Sequence, residues 1–290
     1  MFTALITGGT SGIGAAFAKA LAARGLNLVL VARDPARLDQ AAQELRARYR
    51  IEVETLAADL ADRDDVDRVA ERLESPDRPV ELLINNAGFS VKGPVTSPDH
   101  DLHDAGFDVM CRAVMVLSSA AARAMTARHE GWILNVSSVA GEVSMGPYSA
   151  IKAWTTTFTE SLAVELRGTG VQVTALLPGW VRTEFHSRAG ISGSSIPNWL
   201  WLDADKLVEE ALRDMARGKV VSIPTLRYKA LMGVVKHAPR SGIRLASGLL
   251  NGARAREQKI ATDPVGDSPT PQPLSATDTD DSHGKEEVQS

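Results

Sequence analysis

Short runs of apolar residues alternate along the chain with longer segments in which apolar residues recur at helical spacing. The apolar runs predict strands over residues 2–6, 26–32, 51–57, 80–85, 131–136, 171–177 and 219–223. The segments between them predict helices over residues 13–24, 35–49, 63–74, 101–128, 148–167 and 204–217. This alternation predicts an α/β fold, a doubly wound parallel sheet with helices on both faces.

A glycine-rich turn joins the first predicted strand to the first predicted helix. It reads Thr7-Gly8-Gly9-Thr10-Ser11-Gly12-Ile13-Gly14. Glycine adopts positive φ and lets backbone N–H groups approach a phosphate at a helix N-terminus. The spacing G-x-x-x-G-x-G differs from the commoner dinucleotide fingerprint, but strand and helix flank it in the required order. The turn therefore predicts a pyrophosphate site.

A tyrosine and a lysine follow on one predicted helix, in Tyr148-Ser149-Ala150-Ile151-Lys152. Residues at i and i+4 share one face of a helix. An ammonium beside a phenol favours the phenolate, so Lys152 is expected to lower the Tyr148 pKa from its usual value near ~10. The pair predicts a general acid/base for use near neutral pH.

Composition narrows the classes of partner. The 290-residue chain has a formal net charge of −4, which argues against nucleic acid. Its one cysteine, Cys111, excludes an internal disulfide framework, so a cytoplasmic protein is expected. No apolar run approaches the ~18 residues of a membrane span. The histidines lack metal-ligand spacing with cysteine or acidic residues, and no metal is predicted.

The ordered motifs resemble the short-chain dehydrogenase/reductase family. The matching segments cover roughly residues 1–225 and are Thr7–Gly14, Ala58-Asp59-Leu60, Asn85-Asn86-Ala87-Gly88, Ile133–Ser138, Tyr148 with Lys152, and Pro178-Gly179-Trp180-Val181-Arg182-Thr183. The resemblance implies a Rossmann-like fold and hydride transfer between a nicotinamide cofactor and a ketone or secondary alcohol. We expect a homo-oligomer.

Catalytic roles follow from the same resemblance. Tyr148 is the implied general acid/base, Lys152 tunes it and binds the nicotinamide ribose, and Ser138 donates a hydrogen bond to the substrate carbonyl. Ser137 is the alternative serine, although the pattern S-S-x-x-G favours Ser138.

Cofactor contacts are implied likewise. Asp59 is expected to face the adenine, Asn86 the adenosine ribose and Thr183 the carboxamide; capping of the following turn is an alternative role for Asp59. The full set expected at the cofactor is Thr7, Gly8, Thr10, Ser11, Gly12, Ile13, Gly14, Arg33, Asp59, Leu60, Asn86, Ala87, Gly88, Tyr148, Lys152, Pro178, Gly179, Val181 and Thr183.

The end of the second predicted strand favours NADP(H) over NAD(H). An acidic residue there accepts from a ribose 2′-OH, whereas an arginine accommodates a 2′-phosphate. Here Ala32 is followed by Arg33, and Asp34-Pro35 has the pattern of a helix N-cap and first helical residue. Asp34 therefore has a structural role, and Arg33 points to NADP(H).

One position departs from the family. Met110 lies where relatives have an asparagine that helps to hold a proton-relaying water, and a thioether cannot donate a hydrogen bond. A slower enzyme, an NADP(H)-binding pseudoenzyme or interaction module, and a methionine that merely fills a gap in the core all remain open. An epimerase or dehydratase is a further, less favoured alternative.

Aromatic and aliphatic residues cluster after the proline-glycine motif. They are Trp180, Phe185, Ile196, Trp199, Leu200, Trp201 and Leu202. The resemblance makes this the substrate-covering region, and its composition suggests a lipophilic substrate. Packing of a loop or a subunit contact is the alternative.

The sequence predicts three regions. Residues 1–225 form the catalytic domain, 226–260 a basic amphipathic C-terminal extension, and 261–290 a disordered acidic tail. In the extension, apolar residues at helical spacing lie beside basic ones. They are Tyr228, Leu231, Met232 and Val235, and Lys229, Lys236, Arg240 and Arg244. Residues 226–256 are therefore expected either to contact an anionic membrane surface or to form a helix packed on the domain or a neighbouring subunit.

Overall fold

The computed structural model describes residues 2–91, 93–182, 197–239, 241–244 and 247–248. The strands are β1 (Thr3–Thr7), β2 (Asn27–Ala32), β3 (Val53–Ala57), β4 (Leu82–Asn85), β5 (Gly131–Val136), β6 (Val171–Leu176) and β7 (Val221–Ser222). The helices are α1 (Gly12–Ala22), α2 (Pro35–Tyr49), α3 (Arg63–Glu74), α4 (Asp101–Phe107), α5 (Ala113–Arg128), α6 (Pro147–Glu165), α7 (Ala204–Ala216) and α8 (Leu226–His237). A π-helical segment, Asp108–Arg112, joins α4 to α5.

In the described part of the chain the strands form one parallel sheet with the order β3-β2-β1-β4-β5-β6-β7. Side chains alternate between its faces, as they must along a strand. Ala4 and Ile6 of β1 join the core under α1, α2 and α7, whereas Leu5 joins the core under α3, α5 and α6. The doubly wound fold predicted from the sequence is thereby confirmed.

The order of the strands reverses between β1 and β4, because the chain runs outward to β3 before it returns to β4. In open parallel sheets, ligands bind at such a switch point, beyond the carboxyl ends of the strands. The glycine-rich turn follows β1 and the Asn86-Ala87-Gly88 turn follows β4, so both lie at this point.

The predicted helix over 101–128 is interrupted. Its hydrogen-bonding pattern widens in the π-helical segment, where the Ala113 N–H reaches back to the Asp108 carbonyl. The whole stretch is long and apolar enough to pass for a membrane span, contrary to the sequence expectation, but more than half of its most apolar part is buried. It packs on α3 and on β4 and β5.

The C-terminal extension begins as a helix packed on the domain. Tyr228 and Met232 are buried, and the Lys229 ammonium lies 2.8 Å from the Glu210 carboxylate. Tyr228 and Met232 of the predicted apolar face therefore pack on the domain, whereas Leu231 of the same face is exposed. Met1, Lys92, the segments 183–196 and 245–246, Arg240 and all residues from 249 onward, with the predicted tail, lie outside the described residues.

Candidate active site

The turn after β1 and the turn after β4 form one hydrogen-bonded unit. The Thr7 hydroxyl accepts from the backbone N–H groups of Asn86 and Ala87, both at 3.0 Å. The Asn86 side-chain amide donates to the carbonyls of Thr7 at 3.0 Å and Gly8 at 3.2 Å. Asn86 thus has a structural role in holding the glycine-rich turn, in addition to the ribose contact that the resemblance implies.

Two glycines of the turn are sterically required. Gly8 has φ of +67°, and a Cβ there would lie 2.9 Å from the Asn86 amide nitrogen. A Cβ on Gly14 would lie 2.1 Å from the Gly8 carbonyl oxygen, which is far inside van der Waals contact. The backbone can therefore pack this closely only without side chains.

The N-terminus of α1 is suited to an anion. Ser11 is the N-cap, yet its hydroxyl makes no capping hydrogen bond, and the first turn carries no acidic residue. Gly12 has φ of +56° and begins the helix, whereas Ile13 packs on the core. Unpaired N–H groups at a helix N-terminus, together with a free hydroxyl, are groups that bind a phosphate. Thr10 completes this turn, partly exposed.

The end of β2 has the arrangement predicted from the sequence. The Asp34 carboxylate accepts from the N–H groups of Ala36 at 3.0 Å and Arg37 at 3.2 Å, which confirms it as the N-cap of α2. Arg33 is exposed and makes no ion pair within the described part of the chain. Within the described residues the Arg33 guanidinium is therefore exposed to solvent at the end of β2, whereas the neighbouring Asp34 carboxylate is used in capping α2.

The turn after β3 gives Asp59 its capping role. One carboxylate oxygen of Asp59 accepts from the Ala61 N–H at 3.0 Å, and the Asp59 N–H donates to Asp65 at 2.7 Å. Leu60 is buried. The alternative interpretation of Asp59 as a turn cap is thus correct, and its contact with adenine stays a prediction.

Ser138 and Tyr148 are brought together at the carboxyl end of β5. Tyr148 is partly buried. Burial raises the pKa of the phenol to about 12, while a hydrogen bond with Ser138 acts in the lowering direction. The Lys152 ammonium lies 5.7 Å from the centre of the Tyr148 ring.

Lys152 does not act on the phenol as predicted. It is buried, and desolvation lowers its own pKa to about 8, with the nearby Cys111 thiol opposing this shift. Its ammonium donates to the Val136 carbonyl at 2.9 Å. The expectation that Lys152 lowers the Tyr148 pKa is wrong for this structure, because burial raises that pKa and the hydrogen bond with Ser138 supplies the opposing effect.

The structure distinguishes the two serines. The Ser137 hydroxyl is buried and donates to the Lys152 carbonyl at 2.6 Å, and it lies 2.7 Å from the Thr156 hydroxyl. The Thr156 hydroxyl also donates to the Lys152 carbonyl, at 3.1 Å. Ser137 therefore anchors α6 to β5, and Ser138 is the serine that contacts the phenol. Sequence reasoning missed this anchor, since only the tertiary structure aligns Ser137 with Lys152.

Met110 is buried between the turn after β4 and helix α6. Its side chain is 1% exposed, and a Cβ built on Gly88 would lie 3.0 Å from its sulfur and 3.8 Å from the Lys152 ammonium. The Met110 carbonyl lies 3.3 Å from the Thr155 hydroxyl. The thioether thus fills the space between Gly88 and α6, and the π-helical segment gives its carbonyl a partner on that helix.

The proline-glycine motif is held by a residue of α8. The Tyr228 ring occupies the space that a Cβ on Gly179 would need, 2.0 Å from its Cζ atom. Pro178 is buried, and its carbonyl accepts from the Val139 N–H at 3.0 Å. Val181 pairs with Leu202 in an isolated parallel bridge. Thr183, the residue predicted to bind the carboxamide, lies outside the described residues, as do Phe185 and Ile196.

Three similarities to known proteins agree with this geometry. A short-chain dehydrogenase from Sphingobium yanoikuyae, solved in complex with NADPH, is 33% identical with a TM-score of 0.74, covering 93% of this chain and 98% of that one. A bulky-bulky ketone specific alcohol dehydrogenase from Comamonas testosteroni is 30% identical with a TM-score of 0.70, covering 93% of this chain and 97% of that one.

The third similarity is to a very-long-chain 3-oxoacyl-CoA reductase of Anas platyrhynchos, with 34% identity over 189 residues. This alignment covers 62% of the chain and spans only 60% of that reductase's own length. Residues 2–190 match the model of the short chain dehydrogenase family. The chain therefore belongs to the short-chain dehydrogenase family of oxidoreductases.

Proposed function

We propose that this protein is an NADP(H)-dependent oxidoreductase that interconverts a lipophilic ketone and its secondary alcohol. The observation that carries the proposal is the hydrogen bond between Tyr148 and Ser138, one helical turn from Lys152, whose ammonium lies 3.8 Å from the position of a Cβ on Gly88 in the turn after β4. The NADPH found with the Sphingobium relative supports the same cofactor class.

The described residues fit a dinucleotide phosphate. The Ser11 hydroxyl, which makes no capping hydrogen bond, and the first turn of α1 would hold the pyrophosphate, and Arg33 would pair with a 2′-phosphate. When bound, the nicotinamide supplies or accepts the hydride. Gly8 and Gly14 leave the backbone close enough for such a contact because neither carries a side chain.

The chain's own residues manage the proton and the carbonyl. With its pKa raised to about 12 by burial, Tyr148 is protonated at neutral pH and acts as the proton donor in ketone reduction. The Ser138 hydroxyl donates a hydrogen bond to the same carbonyl oxygen as negative charge develops there. Lys152 carries positive charge below its pKa of about 8, which stabilises that developing charge.

The tryptophans at the proline-glycine motif support a lipophilic substrate. The Trp180 and Trp201 rings lie 6.2 Å apart, and the Arg182 guanidinium lies 5.3 Å from the centre of the Trp201 ring. The relative specific for bulky ketones and the relative acting on very-long-chain substrates point in the same direction.

A cofactor-consumption assay tests the proposal. Purified protein is incubated with NADPH or NADH and a panel of ketones that ranges from acetone to bulky and long-chain compounds. We expect stoichiometric oxidation of NADPH with the larger ketones. An epimerase would consume no net cofactor, and a pseudoenzyme would bind NADPH without oxidising it; either result rejects the reductase.

We also propose that the outward face of α8 attaches to an anionic membrane surface, from which a lipophilic substrate would be drawn. Leu226 is 83% and Val234 69% exposed, and residues 225–260 carry eight Lys or Arg against one Glu. The double variant Leu226→Asp/Val234→Asp should lose co-sedimentation with phosphatidylserine vesicles at low salt. Failure of the parent to sediment rejects attachment, and a cytoplasmic protein without membrane contact is then the better description.

We propose that a second copy of the chain binds in the groove between α5 and α6. Met115 is exposed there, and Phe158 stacks on Trp154 with ring centres 4.9 Å apart. Sedimentation velocity should give an oligomer for the parent and a smaller species for Met115→Lys. A monomeric parent rejects this partner.

A further inference from the structure

We propose that Tyr228 and Ser247, both from the C-terminal extension, are positioning residues for the reaction centre. They hold the two loops on either side of Tyr148, namely residues 178–182, which follow β6, and residues 139–147, which lead into α6. The inference rests on the proposed function, because that function places Ser138 and Tyr148, which the 139–147 loop connects, at the substrate carbonyl.

Tyr228 holds the 178–182 loop by shape and by hydrogen bonds. Its ring fills the space above Gly179, and its hydroxyl accepts from the Trp180 N–H at 3.0 Å. The same hydroxyl donates to the Leu200 carbonyl at 2.8 Å, and the residue is only 2% exposed. One side chain from α8 therefore bridges two backbone segments that lie 20 residues apart.

Neighbouring contacts show that this bridge belongs to a wider connection. The Leu202 N–H donates to the Trp180 carbonyl at 2.7 Å, and the Arg182 N–H donates to the Leu202 carbonyl at 3.0 Å. Removing the Tyr228 hydroxyl would take away one hydrogen-bond partner of the partly buried Trp180 N–H and one of the partly buried Leu200 carbonyl. The loop would then lose the contact that fixes Trp180 next to Gly179.

Ser247 acts on the other loop. Its hydroxyl accepts from the Ser144 N–H at 3.3 Å, and the residue is 3% exposed. Ser144 lies four positions before Tyr148, and α8 itself lies against the 3-10 turn Val139–Glu142 of the same loop. The extension thus reaches the backbone on both sides of the reaction centre.

The two loops also contact each other. The Val139 N–H donates to the Pro178 carbonyl at 3.0 Å, and the Ser138 hydroxyl lies 3.5 Å from that carbonyl. A shift of either loop would therefore alter the position of Ser138 relative to Tyr148. Because the extension fixes both loops, residues far beyond the last family motif help to set the geometry of the catalytic pair.

The test uses single substitutions in the full chain with matched controls. Tyr228→Phe keeps the ring and removes the hydroxyl, and Tyr49→Phe is its control at the end of α2. Ser247→Ala removes the other acceptor, and Ser161→Ala is its control at an exposed position of α6. Each variant is measured for amide hydrogen exchange by NMR, for NADPH affinity and for kcat.

We expect the two variants to differ in a defined way. Tyr228→Phe should accelerate exchange at Trp180 and weaken NADPH binding about fivefold or more, as expected for one or two lost hydrogen bonds. Ser247→Ala should accelerate exchange at Ser144 and lower kcat about threefold or more, with NADPH affinity unchanged. Both controls should match the parent in all three measurements.

Three results would overturn the proposal. Unchanged exchange at Trp180 and Ser144 would show that the contacts do not hold the loops. Unchanged NADPH affinity and kcat despite faster exchange would show that the loops do not position the centre. Equal losses in both variants that follow the melting temperature would indicate general destabilisation. If the parent binds no nicotinamide nucleotide, the proposed function fails, and the exchange data alone still decide whether Tyr228 and Ser247 fix the loops.

Discussion

In the glycine-rich turn, buried polar groups have partners, and the backbone is packed to its steric limit. The Thr7 hydroxyl and the Asn86 amide make four hydrogen bonds between the turns after β1 and β4. At the reaction centre, burial acts against ionisation instead. It raises the Tyr148 pKa to about 12 and lowers the Lys152 pKa to about 8.

This difference suggests that the glycine-rich turn serves cofactor binding and that the desolvated pair serves catalysis. A turn held by hydrogen bonds to the turn after β4 and by close packing provides a fixed surface for a ligand, and damage to it should appear as lost affinity. Desolvated groups keep a proton on the phenol and a weakly held charge on the lysine, and damage to them should appear as lost turnover or an altered pH profile. Each of the following predictions tests this division.

The largest effect is expected for Tyr148→Phe. The ring remains and the transferable proton is lost, so turnover should fall by about 100-fold or more. Affinity for NADPH, measured by fluorescence titration, should stay within about twofold, because the turn is untouched. Tyr49→Phe serves as the control. A Tyr148→Phe enzyme with near-parental turnover would refute the catalytic assignment.

Gly14→Ala should have the opposite effect to Tyr148→Phe, with NADPH affinity lost and turnover retained. Its Cβ would lie 2.1 Å from the Gly8 carbonyl oxygen and 2.5 Å from the Asn86 amide nitrogen, so the backbone of the turn must move. Overpacking of this kind costs ~1–3 kcal/mol, and the same loss in binding would weaken NADPH affinity roughly fivefold to 150-fold. At saturating NADPH, kcat should be preserved. Gly233→Ala is the control, because a Cβ at Gly233 would have no atom within 4 Å. Equal NADPH affinity of the Gly14→Ala and Gly233→Ala variants would contradict the proposal that the turn is rigid.

Arg33→Ala should change the choice of cofactor without changing the fold. Loss of a charge-assisted contact should narrow the preference for NADPH over NADH by ~1–3 kcal/mol. The neighbouring Asp34→Ala should lower stability by about 1 kcal/mol through loss of the α2 cap, with the preference retained. If the parent binds NADH as tightly as NADPH, Arg33 has no such role.

A pH profile should reveal the desolvated lysine. Because the folded-state pKa of Lys152 is about 8, below its ordinary value of 10.5, the ammonium is lost as pH rises through about 8. The rate of ketone reduction should therefore fall severalfold between pH 7 and 9. Over the same range the Lys152 contribution to stability should increase, since the unfolded chain binds more protons there. A falling rate with a falling melting temperature would point to unfolding instead.

Met110→Asn is expected to have the smallest effect. The Met110 carbonyl already has the Thr155 hydroxyl as a neighbour, so an added amide should leave turnover unchanged or raise it by no more than about threefold. Met110→Leu controls for loss of the thioether. If turnover collapses in Met110→Asn while the melting temperature is retained, the methionine is positively required.

Much of the fold was predictable because its signals are local. The bounds of α2 and α3 match the predicted ranges, since Asp34 and Asp62 cap their first turns and mark where each helix begins. The predicted strand over 219–223 shortens to Val221–Ser222, because it pairs with β6 alone and at only two positions. Hydrogen bonding to a neighbour sets the length of an edge strand, and its own residues do not encode it.

The sequence by itself determined the order of strands and helices, the glycine-rich turn, the spacing of Tyr148 and Lys152, and the capping role of Asp34. Each depends on interactions between residues a few positions apart. The tertiary structure decided which serine meets the phenol, the direction of the Tyr148 and Lys152 pKa shifts, and the attachment of Tyr228 to Gly179. Desolvation and close packing sum over atoms that are distant along the chain, so only the assembled fold brings these effects to one place.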